Sequence, residues 1–96
     1  MNTARVTHLD LAEDGVLIVR ATCETCRKTV THGAGTDLNA PLLGHRASHC
    51  RCDAGGYELV DPHRIVPLRL RVIRQDVAER EALRAEIRAA RREAVR

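Results

Sequence analysis

The chain has 96 residues, a formal net charge of +3, four cysteines and a single aromatic side chain, Tyr57. That length makes one small domain with at most an appended element. No apolar run approaches the roughly 20 residues needed to span a bilayer. The N-terminus lacks the charged-then-apolar layout of a secretory signal, so the expected setting is cytoplasmic and reducing, without membrane insertion.

The charge is unevenly spread. Residues 1–66 hold 7 basic and 8 acidic side chains, whereas residues 67–96 hold 9 basic and 5 acidic ones. The basic excess therefore lies in the C-terminal part. With Phe and Trp absent, the chain lacks the side chains that dominate most small cores. A metal centre is a usual substitute at this size.

Residues 4–22 read as a β-hairpin. Val6, Leu9 and Leu11 stand out in a roughly alternating stretch, Asp14-Gly15 is a tight-turn signal, and Val16-Leu17-Ile18-Val19 is a β-prone run leading to Cys23. Cys23 and Cys26 form a C-x2-C pair. Arg27 and Lys28 follow, cations that favour thiolates, and then the β-prone Thr29-Val30-Thr31. Gly33 to Asp37 reads as a loop. A phosphate-cradling role is disfavoured because the Gly-Lys-Ser/Thr ending of such loops is missing.

Residues 37–49 admit two readings. One is a short helix capped by Asp37, with His45 and His49 on one face; the other is a loop and strand crossing to Cys50. Cys50-Arg51-Cys52 is the second thiol pair, 23 residues after the first. Asp53 to Gly56 reads as a turn, Tyr57-Glu58-Leu59-Val60 as a strand, and Asp61-Pro62 as its stop.

Ile65 to Ile73 alternates well enough for a further strand, although a helix could begin anywhere from Pro67. Residues 74–96 are rich in Ala, Arg and Glu without Gly or Pro. They predict a helix of about 35 Å, with Asp76 and Glu79 as an acidic capping box. Leu83, Ile87, Ala90 and Ala94 follow a 4-3-4 spacing that makes a narrow apolar seam. The expected organisation is a β domain over residues 1–72 and a helix over 73–96.

The two thiol pairs carry the chemistry. Paired soft ligands brought together across a loop have the spacing of a structural zinc site, with Cys23, Cys26, Cys50 and Cys52 as ligands. His49, beside Cys50, is the main alternative ligand, ahead of His45 and His32. Tetrahedral sulfur suits iron as well as zinc. Four protein ligands leave no open position for water or substrate, so the metal is expected to be structural and the protein not an enzyme. Zinc on four thiolates would lower the net charge to +1, a weak field for nucleic acid.

A strand, C-x2-C, a basic strand, a connector, a second Cys pair and the strand at Tyr57 resemble a small zinc-ribbon or zinc-finger protein between Ile18 and Val60. The style is similar to short zinc-ribbon proteins of GC-rich bacteria and their phages. The resemblance is carried by the four cysteines, and the second pair departs from it as C-x-C. It implies an adaptor that binds protein or nucleic acid. A fainter resemblance links Asp61 to Leu68 to HNH nucleases, with His49 and His63 as metal ligands, but Pro62 and Arg64 break that motif.

The expected fold is therefore α+β: a small zinc-stabilised antiparallel sheet followed by a long C-terminal helix. The expected function is a non-catalytic interaction module whose helix and sheet engage a protein partner or a second copy, with no small-molecule substrate. The rival is nucleic-acid binding through Arg80, Arg84, Arg88, Arg91 and Arg92, interrupted by Glu81, Glu86 and Glu93, with Arg27, Lys28 and Arg51 adding to it.

Overall fold

The structure, a computed structural model, describes residues 2–47, 50, 52 and 55–95, the last by its backbone only. The described elements are β1 (Thr3–Leu11), β2 (Leu17–Cys23), β3 (Thr29–Gly33), β4 (Gly44–Arg46), β5 (Tyr57–Val60) and α1 (Ile65–Val95). The fold is α+β, as expected. The strands form one sheet in the order β3-β2-β1-β5-β4. The sheet is not wholly antiparallel, because β1 and β5 pair in parallel from Thr3↔Glu58 to Arg5↔Val60.

The β1–β2 hairpin forms where the alternation and Asp14-Gly15 place it. Its register runs from Ala4↔Cys23 to Leu11↔Leu17. In the turn, Gly15 adopts φ +87°, a conformation that is easy only without a Cβ. The Asp14 carboxylate accepts the Val16 amide at 3.1 Å. The register shifts between Val6 and His8. This bulge explains why Val6 and Leu9, three apart, are both buried, since an extra residue moves the alternation by one.

Residues 37–49 take the loop-and-strand reading rather than the helical one wherever they are described. Asp37 accepts the Asn39 amide at 2.8 Å in a side-chain-capped turn, and the short strand β4 follows. The Gly33–Asp37 loop uses its backbone to extend the sheet. The Ala34 amide bonds the Leu17 carbonyl and the Leu17 amide bonds the Gly35 carbonyl, both at 2.7 Å.

The core lies between one face of the sheet and the start of α1. Val6, Leu9, Leu17, Val19 and Tyr57 are fully or almost fully enclosed, and Val66, Leu70 and Ile73 close over them from the helix. Tyr57 is at the centre. Its hydroxyl hydrogen-bonds His32 Nε2, and the two rings meet edge to face at 5.4 Å. His32 is on β3 and Tyr57 on β5, with two strands between them in the sheet order, so the sheet must curl to bring them together.

Residues 65–73 are helical, not a strand. Helix α1 starts at Ile65 and continues unbroken for 31 residues, about 46 Å at 1.5 Å per residue. The stretch contains both periods, but only the helical one supplies a stripe, Val66-Leu70-Ile73-Val77, that meets the sheet. The start is fixed by Asp61 rather than Asp76. Its two carboxylate oxygens accept the Ile65 and Val66 amides, each at 2.8 Å, satisfying first-turn donors that have no partner inside the helix. Further along, Arg69 Nε donates to the Leu9 carbonyl at 3.1 Å and Arg74 donates twice to the Leu38 carbonyl.

Beyond Val77 the helix leaves the sheet, and residues 78–94 are all exposed. The radius of gyration is 18.0 Å and the long axis 64 Å. A compact chain of this length would have a radius of gyration of about 12.5 Å. The difference is the projecting half of α1.

Candidate metal centre

The first thiol pair is built by the end of β2. Leu17, Val19, Ala21 and Cys23 alternate onto the buried face, so the period that builds the core also carries the Cys23 sulfur inward. The chain then turns tightly toward β3. The Arg27 amide donates to the Cys23 carbonyl at 2.8 Å and the Cys23 amide to the Lys28 carbonyl at 2.9 Å. Arg27 completes the turn with φ +66°. Cys26, inside this turn, is exposed.

Cys50 and Cys52 lie in the connection from β4 to β5. Each thiol pair therefore belongs to a hairpin loop, one joining β2 to β3 and the other joining β4 to β5. Strand β1 stands between the hairpins and links them. The Asn2 carbonyl accepts the Glu58 amide and the Thr3 carbonyl accepts the Glu24 amide, both at 3.0 Å. The parallel β1–β5 pairing is thus what brings the two loops to the same end of the sheet.

The four sulfurs all lie within 4.8 Å of one another, and no disulfide joins them. Cys23 and Cys50 are the buried pair and Cys26 and Cys52 the exposed one. A tetrahedral ion with bonds of about 2.3 Å to sulfur needs sulfur–sulfur edges of about 3.8 Å. The cluster is close enough to hold one metal ion with little adjustment. Thiolates are donors for zinc or iron rather than for magnesium or calcium.

The thiols are electrostatically unequal. The Cys26 amide, above all, holds Cys23 down at about 6; burial opposes it, and the Thr25 amide, Asn2 and Cys50 add to the lowering. Asn2 Nδ2 donates to the Cys23 sulfur at 3.6 Å, and its Oδ1 accepts the Thr25 hydroxyl at 2.6 Å. Cys52 is pushed up to about 12, first by its hydrogen bond to Cys26 and then by burial and the other sulfurs. One thiolate, Cys23, collects the amides while Cys52 keeps its proton, as crowded sulfurs without a cation among them are expected to divide the charge. Arg27 and Lys28 are not among the groups that lower Cys23; neutral amides do that work.

The other candidate residues fall elsewhere. His49 and Arg51 lie outside the described residues. His32 is in the core with Tyr57, and His45 Nε2 bonds the Gly55 carbonyl at 2.6 Å. His63 is exposed in the turn before α1. Asp61, two residues before it, caps the helix. Among the described residues the group able to hold a metal is the four cysteines. Asn2 was not legible as a site residue, because it is 21 positions from Cys23 and no local motif marks it.

The projecting helix has three distinct strips. Arg80, Arg84, Arg88 and Arg91 continue the face that carries Val66, Leu70, Ile73 and Val77. Leu83, Ile87, Ala90 and Ala94 form the next strip, with Leu83 at 56% and Ile87 at 43% exposure. Glu79, Glu86 and Glu93 lie on the far side of that strip. Contrary to the sequence reading, Glu86 and Glu93 do not interrupt the arginines; only Glu81 borders them. Among the described residues no helix is long and apolar enough to cross a membrane. Comparisons with protein-family models, with curated proteins and with solved structures return no match to this chain.

Proposed function

We propose that this protein is a non-catalytic, zinc-stabilised interaction module that presents the distal half of α1 to a protein partner. Zinc would be held by Cys23, Cys26, Cys50 and Cys52. Four thiolates complete a tetrahedral shell and leave no site for substrate, so the ion would be structural. It would clamp the two hairpin loops and so the sheet on which α1 is seated. Clustered cysteines that hold a metal rather than pair as disulfides suit a reducing compartment, which supports a cytoplasmic setting.

The observation that carries the docking reading is the uncovered strip at Leu83 and Ile87, on a helix that has already left its own sheet. Apolar side chains held in register on a projecting helix are the anchors by which helices dock. A second reading, nucleic-acid association, draws on the alignment of Arg80, Arg84, Arg88 and Arg91. It predicts binding that falls steeply with salt, whereas docking through Leu83 and Ile87 is salt-tolerant.

Native mass spectrometry of protein purified without added metal tests the first part. One zinc per chain, with four fewer protons, is the expected mass. Iron would change the metal, and a metal-free chain with four titratable thiols would remove the centre altogether. A Leu83→Ser/Ile87→Ser variant tests the second part, with zinc and circular dichroism retained and association lost.

A further inference from the structure

We propose that the occupant of this strip is α1 of a second copy of the chain, paired in parallel as a short coiled coil. The inference rests on the docking reading above and names its partner. Leu83, Ile87, Ala90 and Ala94 occupy successive core positions d, a, d and a of a heptad pattern, with Arg80 at the a position before them. In that register Glu79, Glu86 and Glu93 are the g positions, and Arg84 and Arg91 are the e positions. One flank of the seam is wholly acidic and the other basic.

This segregation selects both the partner and its direction. In a parallel pair, a g side chain faces the e side chain five residues further along the other helix. Glu79 then meets Arg84 of the partner subunit, and Glu86 meets Arg91 of the partner subunit, each contact occurring twice by symmetry. An antiparallel pair would set g against g and e against e, acid on acid and arginine on arginine. A second copy in parallel therefore supplies the complementary charges from the same sequence.

Two further observations support it. Glu79, Glu86 and Arg91 have no opposite charge three or four residues away, where a helix makes its own pairs. Among the described residues the single ion pair is Arg69–Asp10, at the other end of α1. The geometry also leaves room, because the seam is about a quarter turn from the face that meets the sheet. Two heptads are few for an isolated coiled coil. Here the nucleation cost is already met, since the sheet and Asp61 hold the first turns. A weak, concentration-dependent dimer is the expectation.

The test is sedimentation of the zinc-loaded full chain over a wide concentration range. Wild type should pass from monomer to dimer. Glu79→Arg/Glu86→Arg should weaken the dimer by about tenfold or more, and Arg84→Glu/Arg91→Glu should do the same. An equimolar mixture of the two variants should restore it, because each flank again faces its opposite. Mild oxidation of Ala94→Cys should yield a peptide linked from position 94 to position 94. Four results would overturn the proposal: a monomer at every concentration, a dimer indifferent to both reversals, a dimer without the 94-to-94 link, or a monomer that binds duplex DNA with steep salt dependence. Zinc content read on the same samples separates the two levels. A zinc-loaded monomer removes the pairing and leaves the scaffold reading standing, whereas a chain without zinc removes the scaffold reading whatever its mass.

Discussion

The sulfurs of Cys23 and Cys50, 27 positions apart, lie 3.5 Å from each other at the buried side of the cluster. Four thiols at such spacing repel once ionised, and only a shared cation makes the arrangement favourable. Cys26→Ser should therefore abolish stoichiometric metal binding and lower thermal stability sharply. Chelation of the wild type should give the same melting curve. Circular dichroism melts with metal analysis check both, and a Cys26→Ser protein that melts like wild type would show that the centre does not support the fold.

The stability that the chelated chain keeps should depend on pH in two directions. Cys23 is lowered from 9.0 to about 6 on folding. Its contribution is complete above 9 and is lost as pH falls through 6. Cys52 is raised from 9.0 to about 12. Its contribution is complete below 9 and is lost as pH rises through 12. Urea midpoints of chelated protein should therefore rise from pH 6 toward 9 and fall beyond it. Zinc should steepen the rising limb, because the folded, metal-bound sulfurs carry no protons whereas the unfolded thiols take them up below pH 9.

Gly56 and Gly15 share φ +87° but not their surroundings. A Cβ at Gly15 meets nothing within 4 Å, so Gly15→Ala should cost only the conformational term, about 1 kcal/mol. A Cβ at Gly56 would overlap the Arg46 carbonyl oxygen and come within 2.8 Å of the His45 ring. Gly56→Ala should cost more than about 3 kcal/mol and weaken metal binding, since Gly56 leads directly from the second thiol pair into β5. Denaturant unfolding of both variants, with zinc titration, gives the comparison.

Asp61→Ala removes a carboxylate that serves two amides at the positive end of α1. The expected loss is about 1–2 kcal/mol, or about 5–15 °C in Tm for a domain of this size, with unchanged zinc content. Asp61→Asn should fall between, keeping an acceptor and losing the charge. A thermal scan with metal analysis decides it. Loss of zinc in Asp61→Ala would mean that this end of the helix is tied to the centre more closely than the hydrogen bonds indicate.

The residues that were legible in the sequence are those whose signal is local. Asp14-Gly15 marked its turn, the paired cysteines marked their loops, and Tyr57 to Val60 read as a strand. What failed depends on distance. Ile65 to Ile73 reads as a strand because Leu68 and Val72, apolar yet exposed, complete a false alternation. Only contact with the sheet shows that Val66, Leu70 and Ile73 are the stripe that matters. The cap at Asp61 was hidden because Pro62, His63 and Arg64 separate it from the helix it starts. The parallel β1–β5 pairing had no local mark, so Asn2 could not be placed beside Cys23.

That parallel pairing has a consequence for a growing chain. Strands β1, β2 and β3 can assemble as a meander as soon as residue 33 is available. The far side of β1 must then wait for β5. Until residues 57–60 arrive, the middle strand of the finished sheet is an open edge, with unpaired amides and carbonyls at Thr3 to Arg5 beside a half-built thiol cluster. A fragment ending before residue 57 would keep that edge, and exposed edges recruit other strands. Such fragments should aggregate where the whole chain does not, and the span between β3 and β5 is the interval in which this protein most needs protection.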